Sequence, residues 1–339
     1  MAFRVTRRRL ALALLSLLGA FGALAPLASA AESEFLSRGM PYAAFDRLKA
    51  QRIDIGDAVI EVAFAPGELN LSEREVLDWV SASARIVAGY YGRFPASRTR
   101  LLVLPTDGAS IHGTTYAYHG AAIKLPLGDS VTIANTARDW VLIHEMTHLA
   151  FPEVPRRHHW IEEGLATYVE PVARAQAGQL SADDVWLGLM RGLPQGLPQA
   201  GDRGLDNTPT WGRTYWGGAL FSLLADVEIR SRTTNRFGLQ QALRAILDKT
   251  GGMRSSVPLE EALKIGDAAV GVPVLSELYA RMKDAPHEVD LEDLWKRLGV
   301  HAEGRVLRYD DEAPLAAVRR AITAQVKRVN LRSHGPSLL

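Results

Sequence analysis

His144 and His148 stand four residues apart in the segment His144-Glu145-Met146-Thr147-His148. On a helix, positions i and i+4 share a face. Two imidazoles so placed can bind one Zn²⁺ ion. Glu145 lies about 100° round the helix from His144, where its carboxylate reaches a water held beside the metal. Trp140-Val141-Leu142-Ile143 leads into the segment and Pro152 stops it, as a buried helix requires. Alone, the five-residue pattern is weak, because ordinary composition produces it by chance in on the order of one chain in a hundred.

A catalytic zinc site takes three protein ligands and leaves one position open. A third ligand is offered by Glu163 in Trp160-Ile161-Glu162-Glu163-Gly164-Leu165-Ala166-Thr167-Tyr168-Val169-Glu170. The intervening stretch, with Pro152, Pro155 and Arg156-Arg157, is long enough to turn the chain back. A second helix then sets Glu163 against the two histidines. Glu162 is the rival ligand. Thr167, one turn after Glu163, is placed to hydrogen-bond behind the ligands.

These segments resemble the gluzincins, zinc peptidases with an HExxH helix and a glutamate ligand on a following helix. Trp160-x-x-Glu163-Gly164-x-Ala166-x-Tyr168 is similar to the W-x-x-E-G-x-A-x-Y stretch of M1-type aminopeptidases and their M61-type relatives, which implies Glu163 as the ligand. Tyr215-Trp216-Gly217-Gly218-Ala219 resembles their Y-x-K-G-A motif, with Gly217 in place of the lysine. That likeness implies that the Tyr215 hydroxyl stabilises an oxyanion; the other reading is a core tyrosine on the apolar helix that follows. The resemblance covers residues 136–225, and Asp290 to Val300 also resembles the C-terminal helical part of M61-type proteins. It implies a metallopeptidase with one Zn²⁺, Glu145 as general base, and a peptide or protein substrate.

M1-type aminopeptidases hold the substrate amine with a glutamate in a G-x-M-E-N motif. Residues 113–128 contain no acid, which weakens the exopeptidase reading; Glu162 or Glu170 could substitute, and endopeptidase and aminopeptidase both stay open. A non-catalytic zinc-binding protein, and a zinc hydrolase of a non-peptide or cell-wall substrate, are the competing readings. Retention of all three ligands and the base favours an enzyme. His158 and His159 before Trp160, and His112 and His119 around residues 114–125, fit solvated loop roles better than ligation. Trp186 and Trp211 read as packing residues.

The elements that must position these residues follow from periodicity. A strand is expected over 57–64. Ser72 and Glu75 form a capping box that opens a helix to Tyr91. A buried strand covers 100–104, an extended stretch 114–125 supplies the substrate-binding edge, and a helix runs from 136 to 150. Residues 176–212, rich in Gly, Pro and Gln, read as a long loop region with short helical pieces. Helices follow near 213–231, 237–249, 258–265, 273–283, 291–298 and 313–329. The expected fold is α+β and zincin-like: a small mixed β-sheet packed on the HExxH helix, then a mostly helical part. The expected division is residues 31–152, residues 153–331, and a frayed tail at 332–339.

The chain has 339 residues, no cysteine, 39 Lys+Arg and 38 Asp+Glu. Residues 1–30 hold four arginines (Arg4, Arg7, Arg8, Arg9) and no acid, so removing them leaves 35 basic against 38 acidic residues, a net of −3. A nucleic-acid partner is not expected. The basic cluster, the apolar run from Leu10 to Leu27, and Ala28-Ser29-Ala30 are the order of a secretory signal peptide, with cleavage after Ala30. Export to a periplasmic or secreted location is expected, with no stable membrane anchor after cleavage. Thr6-Arg7-Arg8-Arg9-Leu10 also resembles a twin-arginine signal. Without disulfides, stability must come from core packing, for which about 309 residues suffice.

Overall fold

The computed structural model describes residues 34, 35, 37–304 and 306–326. The signal segment and the tail at 332–339 lie outside these residues. No helix among the described residues is long and apolar enough to cross a membrane.

Five strands form one mixed sheet in the order β1-β2-β3-β5-β4. They are β1 (Gln51–Ile55), β2 (Ala58–Phe64), β3 (Arg98–Thr106), β4 (Thr114–Tyr116) and β5 (Ala122–Gly128). Strands β2, β3 and β5 run parallel, and the outer strands β1 and β4 are antiparallel to their neighbours. The central strand β3 shows why its sequence is a run of Leu101-Leu102-Val103-Leu104. Successive side chains alternate between faces. Leu101 and Val103 enter the main core, whereas Leu102 and Leu104 pack under Phe35, Met40 and Phe45 of the N-terminal segment.

Two expectations change here. The hairpin strand β1 was not anticipated; its exposed Arg52 and Asp54 conceal the strand pattern. The stretch 114–125 is not one edge strand. Within it β4 is the edge strand, and β5 lies inside the sheet, with Ala122, Ile123 and Lys124 paired on both sides.

Helix α1 (Glu73–Tyr91) begins at the expected Ser72–Glu75 capping box and buries Val76, Trp79, Val80, Ala84 and Val87. The helix expected over 136–150 is two: α2 (Ile133–Arg138) and α3 (Val141–His148). Asp139 breaks it. Its backbone is extended, and its carboxylate accepts from the amides of Val141 (3.1 Å) and Leu142 (3.0 Å), so it restarts the helix at the orphan N–H groups.

The remainder is mostly helical: α4 (His159–Gln176), α5 (Ala182–Gly192), α6 (Gly218–Arg232), α7 (Leu239–Thr250), α8 (Leu259–Val270), α9 (Val274–Met282), α10 (Leu291–Leu298) and α11 (Ala316–Ile322). Helix α5 falls inside the expected loop region, opened by a Ser181–Asp184 capping box. A hairpin of β6 (Val300–Glu303) and β7 (Val306–Tyr309) was also unexpected. One buried cluster runs from Ile55 on β1 to Ile322 on α11, so sheet and helices share a core.

Candidate metal centre and its cleft

Helix α3 is buried along its length except at His148, its last residue. It places His144 and His148 on one face, with ring centroids 4.8 Å apart. The chain then turns through residues 149–158. That turn is pinned from the far side of the molecule: Glu153 N–H donates to the Ser255 carbonyl (2.8 Å) and Met253 N–H to the Leu149 carbonyl (3.2 Å). Helix α4 returns antiparallel to no strand but directly across α3, and carries Glu163 into the site.

Glu163 Oε2 lies 3.2 Å from His144 Nε2 and 3.6 Å from His148 Nε2. The ligand-type atoms of these three residues all fall within 4.8 Å of one another. Glu162 is not part of the group: its carboxylate meets His159 Nδ1 at 3.1 Å. Two imidazole nitrogens and one carboxylate oxygen are the donor set of a three-ligand zinc site, so the residues present fit that metal. Burial alone raises the Glu163 carboxyl, but hydrogen bonds from His144 and His159 outweigh it and hold the group below the usual carboxylate range. Burial and the adjacent His144 push His148 down, to about 3. Both ligands are therefore kept in the deprotonated form that metal binding needs.

Glu145 is buried beside this group. Thr115 on the edge strand β4 donates its hydroxyl to Glu145 Oε2 (2.7 Å) and lies 2.9 Å from the Glu145 carbonyl. Burial raises the Glu145 carboxyl, and the Thr115 hydrogen bond partly offsets this. A Cβ at Gly113 would overlap the Glu145 side chain, so the approach to β4 has room only for glycine there.

Tyr215 sits in a π-helical turn (Arg213–Gly217) that leads into α6. Single π turns inside helices recur at functional sites. The Tyr215 ring lies near-parallel to His144, with centroids 6.5 Å apart. Burial, then the negative charges of Glu163 and Glu145, raise its hydroxyl and keep it protonated. The turn is held by buried Arg213, which pairs with Asp202 (2.8 Å) and donates to the Gly196 carbonyl.

Other expected residues fall differently. Thr167 lines the cleft and makes no hydrogen bond with Glu163. Glu170 also lines the cleft and is paired with Arg174 at 2.7 Å; burial pushes it up to about 7 against that partner. His158 is not a solvated loop residue: it is 1% exposed and bonded to Asp206 (2.8 Å), which also accepts from Trp160 Nε1 and the Tyr279 hydroxyl. His159 bridges Glu162 and Glu163, and these carboxylates push it up to about 10. His119 packs on Tyr42 and Tyr118, and the His112 amide bonds to Pro126. Trp186 is fully buried, as expected, but Trp211 is 61% exposed and stacks on Tyr215. Sequence reasoning missed Thr115, Arg213 and Asp206, because each acts through a partner distant in the chain.

No family model matches the chain, and no curated protein sequence matches it. Its fold does have solved counterparts. An aminopeptidase N family protein from Idiomarina loihiensis superposes with a TM-score of 0.55 at 14% identity, over 75% of this chain and 49% of that one. An M1 zinc metallopeptidase from Deinococcus radiodurans superposes with a TM-score of 0.46 at 14% identity, over 71% of this chain and 53% of that one. A two-domain M1 zinc metallopeptidase variant bound to L-arginine gives 0.47 at 15% identity, over 71% and 54%. The chain spans about half the length of these structures. The likeness is one of fold alone.

Proposed function

We propose that this chain is an exported zinc-dependent peptidase. The observation that carries the reading is the convergence of His144, His148 and Glu163 around one point, with Glu145 held beside them by Thr115. His144, His148 and Glu163 would hold the ion. Bound there, zinc supplies a Lewis acid that polarises the scissile carbonyl and lowers the pKa of the attacking water.

Glu145 takes the proton from that water and passes it to the leaving amine. Its burial matches it to this work, since a raised carboxyl gives up a proton less readily than a solvated one but takes it more readily. The Tyr215 hydroxyl donates to the carbonyl oxygen as charge develops there. Strand β4 offers main-chain groups to an extended peptide. The order of residues 1–30 supports export with cleavage after Ala30.

The test is digestion of a mixed peptide library by the zinc-loaded protein, read by mass spectrometry, with Glu145→Gln alongside. Cuts that vanish in Glu145→Gln while zinc content stays at one per chain are expected. Internal cuts define an endopeptidase and stepwise loss of first residues an aminopeptidase. Equal cutting by both proteins would sink the mechanism.

A further inference from the structure

We propose that the cleft beside the metal group is a side-chain pocket that selects a large aromatic residue of the substrate, and that Gly188, exposed at its mouth, sets how wide a side chain it admits. This rests on the peptidase reading above and names the substrate class of that site. The cavity measures about 370 Å³ and shares His144 and Tyr215 with the metal centre, so it opens directly onto it. That is the small end of ligand pockets, which run from about 300 to 1,000 Å³. It suits one large side chain rather than a length of peptide.

Helix α5 forms one wall and carries two glycines four residues apart, on one face. They are used differently. At Gly192 a Cβ would overlap the indole of Trp216, so the neighbouring side chain has taken the space. At Gly188 nothing lies within 4 Å of where a Cβ would stand. Glycine in a helix interior is destabilising relative to alanine. Packing accounts for Gly192, and no packing contact in the structure accounts for Gly188, which faces the open cavity.

The other walls are apolar and aromatic. Trp140 meets His144 edge-on at 5.3 Å, and Trp211 stacks on Tyr215 at 5.8 Å. Both tryptophans are more than half exposed, at 53% and 61%, in a chain whose core could have taken them. Exposed rings flanking a cleft offer π faces and edges to a ring that enters it.

Charge decides between an aromatic and a cationic occupant. Glu170 is spent on Arg174 at 2.7 Å, with both side chains buried. Asp184 stands exposed at the rim and caps α5, accepting from the Ser181 amide and hydroxyl. The interior therefore holds no unpaired anion for a lysine or arginine, and the occupant is neutral and aromatic.

The experiment uses pentapeptides Ala-Ala-X-Ala-Ala, each with a free and with a blocked N-terminus, with X as Phe, Lys or Ala. Cleavage is measured with the zinc-loaded protein. Binding is measured separately with zinc-loaded Glu145→Gln by tryptophan fluorescence. The Phe peptide is expected to bind at least tenfold tighter than the other two. Adding Gly188→Leu is expected to reduce that preference at least tenfold, and Gly188→Ala to reduce it about threefold. The alanine variant serves if the leucine variant fails to fold. A preference for Lys, no preference, or a Phe preference insensitive to Gly188 overturns the pocket. If peptides are cut without a Phe preference, the peptidase reading stands and the pocket falls. If nothing is cut but Phe binding depends on Gly188, the pocket stands and the peptidase reading falls. If nothing is cut and nothing binds, both fall.

Discussion

Gly164 and Gly218 meet backbone to backbone where α4 crosses the start of α6. A Cβ on Gly164 would overlap the Gly218 backbone, and one on Gly218 would overlap the Trp160 carbonyl. Glu163 precedes the first glycine and Tyr215 lies three residues before the second. The contact therefore fixes the distance between the carboxylate ligand and the tyrosine.

Gly164→Ala is expected to destabilise the fold by about 3 kcal/mol, since the overlap is with backbone and cannot be relieved by a rotamer change. Zinc content should fall with it, as α4 and α6 are pushed apart and Glu163 is displaced from the histidines. Urea unfolding and metal analysis check this; a variant of unchanged stability would refute the close crossing.

Glu163→Gln should lose zinc, because it removes the charged ligand that meets both histidines. Glu162→Gln should keep it, because the Glu162 carboxylate meets His159 and lies outside the His144, His148 and Glu163 group. Zinc stoichiometry after dialysis separates the two. Retention by Glu163→Gln and loss by Glu162→Gln would reverse the ligand assignment.

Tyr215→Phe should lower kcat by about 10²–10³, the usual cost of one oxyanion donor. KM and zinc content should barely move. A loss confined to KM would place the hydroxyl in substrate binding instead.

Thr115→Val removes the hydrogen bond that orients the Glu145 carboxylate. Activity is expected to drop about tenfold, in line with about 1.4 kcal/mol for a hydrogen bond to a charged group. Zinc content should be unchanged. Steady-state kinetics on a cleaved library peptide gives the answer.

Glu170 makes stability depend on pH. Its carboxyl is raised to about 7 in the folded chain, against about 4.3 in an unfolded one. The folded state therefore holds the extra proton between these values. Stability declines as pH rises from about 4.3 to 7 and levels off above. Glu170→Gln should flatten that slope. Denaturation profiles at pH 5, 6, 7 and 8 test it, and parallel slopes for the two proteins would refute it.

Much of the site was legible because its chemistry is local. His144, Glu145 and His148 lie on one helix, so their spacing brings them into view, whereas Glu163 on the next helix was singled out from Glu162 by the resemblance of Trp160 to Tyr168 to a known motif. The Ser72–Glu75 cap and the apolar period of α1 were legible for the same reason. Helix α5 was legible only as one of the short helical pieces in a loop region, because its Gly188 and Gly192, and the prolines after it, read as loop composition. Its Ser181–Asp184 cap was the signal overlooked. The break at Asp139 was hidden because aspartate is tolerated mid-helix on paper, and only its bonds to Val141 and Leu142 show that it starts a new one. Asp206 gathers His158, Trp160 and Tyr279 from up to 73 residues away, and no periodicity reports such a junction.

The two outer strands of the sheet have a consequence for how the protein behaves at high concentration. Strand β4 has three residues and β1 carries Arg52 and Asp54 outward. Short or charged borders are poor templates for another copy's strand. Sheet growth from molecule to molecule, the first step of fibre formation, finds little purchase on either side. A chain without cysteine, which no disulfide can hold in shape, gains from borders that resist self-adhesion.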